Sequence, residues 1–190
     1  MRTTSELRHT ILAAARAEFA RYGLAGARID RIARAAEASK ERLYAHFDDK
    51  EALFRSVVAA DSADFFAAVT LRPDAVPEFV GDIFDLACRR PEHLRMITWA
   101  GLEGLTLDPP PIEDQSAIQE QTVGAIEAAQ TAGHVDAAWQ PMDLLVLLFG
   151  IGLAWAQSPH PDAATTDPAI VAARRAAAVE AARRIVAPQR

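Results

Sequence analysis

Residues 29–47 read IDRIARAAEASKERLYAHF, and the spacing of apolar side chains in this stretch decides the fold. Ile29, Ile32, Ala33 and Ala36 recur at i, i+3, i+4 and i+7, one stripe of a helix barely two turns long. A short break, Glu37-Ala38, follows. Ser39 then stands where a helix cap belongs, so a second short helix is expected to about His46, with Leu43 and Phe47 turned inward. Lys40, Glu41, Arg42, Tyr44 and His46 face elsewhere. Two short helices joined by a tight turn, the second polar on its outer face, meet the requirements of a helix-turn-helix. That geometry lets one helix enter a DNA major groove while its predecessor crosses the backbone. On periodicity alone, a helical hairpin with a solvated charged face fits equally well.

Upstream, a helix over about 5–22 places Ile11, Leu12, Ala15, Phe19 and Tyr22 on one stripe and ends at Gly23, a suitable left-handed stop. Downstream, Asp48 and Glu51 form an expected capping box for a long helix to about Thr70. Proline and glycine clusters at 90–91, 107–111, 133–134, 158–161 and 167–168 then mark boundaries. They imply helices over about 74–89, 92–105, 112–132, 141–157 and 167–186. Strand-like alternation is absent. The expectation is an all-α protein of about nine helices, with a helix-turn-helix domain over 1–50 and a helical body over 51–190.

Net charge is −6, yet it is unevenly distributed. Residues 1–50 carry ten Lys/Arg and seven Asp/Glu, whereas 51–190 carry ten and nineteen. A small basic unit on an acidic body suits nucleic acid, because phosphate contacts need only a local positive surface. Cys88, the single cysteine, excludes an intrachain disulfide, and the histidines at 9, 46, 93, 134 and 160 lack paired metal-ligand spacing. No metal or cofactor is expected. Gly-x-Ser-x-Gly and phosphate-binding glycine loops are missing, so an enzyme is not expected. The longest uncharged apolar stretch, Leu144 to Ala156, falls short of the roughly 20 residues that span a bilayer, and the N-terminus lacks a secretory pattern. A cytoplasmic protein without a membrane partner is the expectation. A module gripping protein instead of DNA remains the alternative, separable by salt-dependent affinity for duplex.

The pattern Ala15-x-x-x-Phe19-x-x-x-Gly23, then Ile32-Ala33-x-x-Ala36, then Ser39-Lys40-x-x-Leu43-Tyr44-x-His46-Phe47-x-x-Lys50-Glu51-x-Leu53 resembles the DNA-binding domain of TetR-family repressors. The remainder of the chain resembles the family in helicity and length alone. The resemblance implies that Ser39 opens the recognition helix, that Lys40, Glu41 and Arg42 reach base edges, and that Tyr44, His46 and Lys50 meet phosphates. It further implies a homodimer on a quasi-palindromic double-stranded operator, since two recognition helices must reach paired half-sites. The small-residue helices over 141–157 and 167–186 suit that pairing. Release by a small apolar or aromatic effector is implied too, with Phe65, Phe84, His93, Met96, Trp99, Glu103, Ile126 and Trp155 as candidate contacts.

Two positions depart from the family pattern. Glu37 stands where glycine is common, and holding it left-handed costs roughly 1 to 2 kcal/mol. Arg28 stands where Ser or Thr would cap the first helix of the pair, placing a cation at the positive end of the helix dipole. A neighbouring phosphate would relieve that conflict, so Arg28 is expected to touch the DNA backbone or the adjacent minor groove. Arg28→Ala should therefore lower operator affinity and flatten its salt dependence, as read by titration over a salt series.

Overall fold

The computed structural model describes residues 3–104 and 113–188, whose regular structure is helical throughout. The elements are α1 (Thr4–Gly26), α2 (Ile29–Ala35), α3 (Lys40–Tyr44), α4 (Lys50–Ala67), α5 (Val76–Arg89), α6 (Pro91–Leu102), α7 (Glu113–Thr131), α8 (Pro141–Leu153) and α9 (Pro168–Val186). A single 3-10 turn, Pro161–Ala164, lies between α8 and α9. The expected break at 107–111 lies outside the described residues, as does the Phe65 side chain.

Contacts group Met1–Asp64 with Glu92–Pro110, and Phe65–Pro91 with Pro111–Arg190. The first unit thus takes in most of α4 and all of α6 after Pro91, beyond the expected division at residue 50. Its core joins Ile11, Phe19, Ile32, Leu43, Leu53 and Phe54 from four helices, and Met96 and Ala100 of α6 belong to the same cluster. Phe19 and Phe54 meet edge to face at 5.1 Å.

Local chemistry explains the helix ends. The Thr3 hydroxyl accepts the Glu6 N–H at 3.2 Å while the Glu6 carboxylate accepts the Thr3 N–H at 2.7 Å, a complete capping box for α1. The start of α4 differs from expectation: Asp49, not Asp48, accepts the Ala52 N–H, at 2.7 Å, and Glu51 pairs with Arg55 one turn on. Gly23 sits at φ 67° and ψ −178°, so α1 is kinked there before its last residues. A Cβ at this position would also lie 2.8 Å from the Trp99 ring. Glu37, at φ 52°, adopts the left-handed turn that the sequence demands of it.

In the second unit α5 packs between α8 and α9, with Val80, Ile83 and Leu86 against Leu144, Leu148 and Ala182, and Ile126 of α7 completes the core. Gly152 permits the close α5–α8 approach, since a Cβ there would fall 2.6 Å from Ile83. Arg175 of α9 crosses Gly81 and bonds Asp85 at 2.8 Å.

The two left-handed residues give opposite expectations in urea denaturation. Gly23→Ala should cost about 3 kcal/mol, from backbone strain plus collision with Trp99. Glu37→Gly should raise stability by about 0.5 to 1 kcal/mol, relief of strain exceeding the added chain entropy.

Candidate nucleic-acid interface

The floor of the helix-turn-helix is apolar, with Ile32, Ala33, Ala36 and Leu43 all buried. Backbone bonds close the turn: Ala36 N–H donates to Ile32 O at 2.9 Å, and Ala38 N–H to Ala33 O at 2.9 Å. Ser39 caps α3 by accepting the Arg42 N–H at 3.3 Å, so this hydroxyl has a structural duty. Above the floor Lys40, Glu41, Arg42 and Tyr44 are exposed, while His46 is half-buried beside Phe47. The Ser39 hydroxyl, ahead of the Glu41 backbone amide, holds the Glu41 carboxyl below its ordinary range. An ionised Glu41 is an acceptor only, which suits the amino group of cytosine. Lys40 pairs with Asp30 of α2 across an exposed surface, an interaction that solvent and DNA can displace.

Lys50 is placed differently from a freely extended phosphate ligand. Its ammonium lies 3.4 Å from the carbonyls of both Ala25 and Ala27, in the link from α1 to α2. Other groups hold the same link. The Ala25 N–H donates to Glu103 Oε1 at 3.3 Å, and the Trp99 ring covers Gly23 while its indole N–H donates to Ala20 O at 3.4 Å. Glu18 accepts the Arg28 N–H at 2.9 Å, and the Arg28 side chain is exposed. Sequence reasoning missed Glu18 and gave Trp99 and Glu103 only as effector contacts, because their partners here lie ten and 78 or more residues away.

The candidate effector residues separate between the units. Met96 is fully buried in the first core, Trp99 and Glu103 grip the α1–α2 link, and His93 is buried with its Nδ1 3.8 Å from Asp61 Oδ2. Asp61, itself buried, forms an ion pair with Arg16 of α1. In the second unit Phe84 and Ile126 are buried, and Trp155 stacks beneath Arg174 at 3.6 Å. A cavity of 340 Å³ in that unit, bordered by Pro73, Glu78, His134 and Arg183, includes none of the eight.

This architecture matches known proteins over most of its length. Residues 11–57 match the family described as bacterial regulatory proteins, tetR family, and residues 75–184 match the tetracyclin repressor-like C-terminal domain. The chain belongs to the TetR family. It is 38% identical over 138 residues to the HTH-type transcriptional repressor SCO4008 of Streptomyces coelicolor, covering 73% of this chain and 72% of that one. It is 33% identical over 138 residues to the HTH-type transcriptional repressor NicS of Pseudomonas putida, covering 66% and 64%. Among solved structures, SCO4942 from Streptomyces coelicolor superposes with a TM-score of 0.80 at 41% identity, covering 94% of this chain and 97% of its own. As a TetR-family member the chain is a transcriptional regulator and not an enzyme.

Within this TetR-family unit the Arg16–Asp61 pair ties α1 to α4. Asp61→Asn should lower stability by about 2 kcal/mol in denaturant unfolding. That is less than the full cost of orphaning a buried charge, because the Arg16 side chain is 34% exposed and can recover some hydration.

Proposed function

We propose that this TetR-family regulator is a homodimeric repressor that reads a quasi-palindromic operator with Lys40, Glu41 and Arg42. One observation carries the reading. α3 presents three adjacent exposed polar side chains above a floor in which Leu43 and Ile32 are fully buried. Arg42 suits guanine, with two acceptors on its major-groove edge, and Glu41 suits cytosine. Tyr44 and His46, with Arg28, supply phosphate contacts, and Lys50 steadies the α1–α2 link from which it can also face the backbone.

Dimerisation through α8 and α9 is supported by large apolar groups left substantially exposed within the chain. Met142, Val146 and Leu147 of α8 are 40%, 62% and 43% exposed, and Ile170 of α9 is 43% exposed. Neighbouring exposed residues on α9 include Ala173 and Ala177, which permit a close helix approach. Two helices per subunit meeting their symmetry mates would bury this face as a four-helix bundle.

An apolar or aromatic effector releases the operator by acting through α6 in this reading. Trp99 and Glu103 hold the link that aims α2, so a ligand favouring a withdrawn α6 shifts the population away from the DNA-binding form. The protein acts in the cytoplasm, where its operator lies; no described helix is long and apolar enough to cross a membrane.

The test is selection of duplexes from a random library at fixed salt with wild type, Lys40→Ala and Arg42→Ala. The expected outcome is a quasi-palindrome whose base preference relaxes in both variants. Weak binding without sequence preference would instead favour a protein-gripping module with a degenerate helix-turn-helix.

A further inference from the structure

α2 has an unusual start. Its N-cap is Arg28, at φ −120° and ψ 123°, and the Arg28 side chain makes no capping bond. The first N–H groups of a helix lack intrahelical acceptors, and the usual remedy is a hydroxyl or carboxylate at the cap itself, with Glu three residues on reaching back to the cap N–H. Here the residue three positions after the cap is another cation, Arg31. Instead of reaching back itself, Arg31 draws in a carboxylate from α1. Its Nε lies 2.6 Å from Glu18 Oε1, and that same oxygen accepts the Arg28 N–H at 2.9 Å. The Glu18 side chain is 90% buried.

Arg31 has further partners within the protein. Besides Glu18 it donates to Gly26 O at 3.2 Å, and its guanidinium lies 4.3 Å from the centroid of the Tyr22 ring. Glu18 holds the guanidinium above its ordinary value. Arg28, by contrast, directs its side chain to solvent. Two arginines three residues apart on the basic unit therefore have different environments: Arg31, 39% exposed, is held to Glu18, Gly26 and Tyr22, whereas Arg28 extends into solvent.

We infer that Glu18 is a positioning residue for DNA recognition: it caps α2 from α1, fixes the angle at which α2 delivers α3, and keeps Arg31 out of the DNA contact set. The inference rests on the operator-binding reading above. It assigns to Arg31, which charge and position alone would place on a phosphate, an internal duty.

Four proteins test it: wild type, Glu18→Ala, Glu18→Gln and Arg31→Ala. Two readouts are needed, amide hydrogen exchange over residues 28–32 in the free protein and affinity for the selected duplex over a salt series. Glu18→Ala should speed exchange at least about tenfold and weaken operator binding by about tenfold, with a salt slope no flatter than that of wild type, because the released Arg31 can only add a phosphate contact. Glu18→Gln keeps an oxygen for the Arg28 N–H, and should return both quantities to within about threefold of wild type. Arg31→Ala should leave the slope unchanged, whereas loss of a phosphate contact flattens it by about 0.9. A flattened slope in Arg31→Ala, or tighter binding by Glu18→Ala, would overturn the assignment. Unchanged exchange in Glu18→Ala would overturn it without reference to DNA. Wild type that lacks salt-dependent duplex affinity would defeat the repressor reading instead, and the exchange data would still judge Glu18.

Discussion

The first unit depends on how the chain passes from α1 to α2. Gly23 takes a positive φ that other residues adopt only under strain, and the kink it allows changes the direction of the chain just before the helix-turn-helix. A bend of this kind exposes backbone amides and carbonyls, and each must find a partner. The fold supplies them from three helices: Lys50 from α4 for the carbonyls of Ala25 and Ala27, Glu103 from just beyond α6 for the Ala25 N–H, and Glu18 from α1 for the Arg28 N–H. α2 starts at Ile29, so these bonds join the buried packing of Ile32, Ala33, Ala36 and Leu43 in seating α2 and α3.

The same arrangement gives α6 its importance. It follows α5 through Arg90-Pro91, yet its buried side chains belong to the core of the first unit. Met96 lies among the residues of that core, Trp99 occupies the space that a side chain at Gly23 would need, and His93 faces the buried Asp61. A packed interior is not continuously deformable, so the proposed switch through α6 would require it to have discrete seats. A regulator that must exchange a DNA-competent form for an incompetent one needs such an element.

Local patterns were legible in the sequence where the physics is local. The strained turn at Glu37 and the Ser39 cap depend on residues within a few positions and stand as read, as do Ile11, Leu12, Ala15 and Phe19 of the α1 stripe, whereas Tyr22 is exposed and Gly23 kinks α1 instead of ending it. The α4 cap was misplaced by one residue because Asp48 and Asp49 are chemically equivalent, and only backbone geometry separates them. The missing cap at Arg28 was visible; its remedy was not, because Glu18 acts from α1 and no helical spacing relates the two. His93, Met96, Trp99 and Glu103, expected as effector contacts, all lie in the first unit, where Met96 belongs to the core and Trp99 packs against it. Aromatic and apolar residues on a middle helix look alike from sequence whether they line a cavity or fill a core.

The central claim is that a correctly aimed α3 reads base edges, and it is tested most directly by removing one acceptor atom from the DNA. In the selected duplex, each conserved guanine would be replaced in turn by 7-deazaguanine, and affinity measured for wild type and Arg42→Ala. At one symmetric pair of positions wild type should lose about tenfold or more, within the roughly 1 to 3 kcal/mol that a bidentate arginine–guanine contact supplies, while Arg42→Ala should be indifferent. Wild type indifferent at every guanine, or Arg42→Ala as sensitive as wild type, would contradict the account.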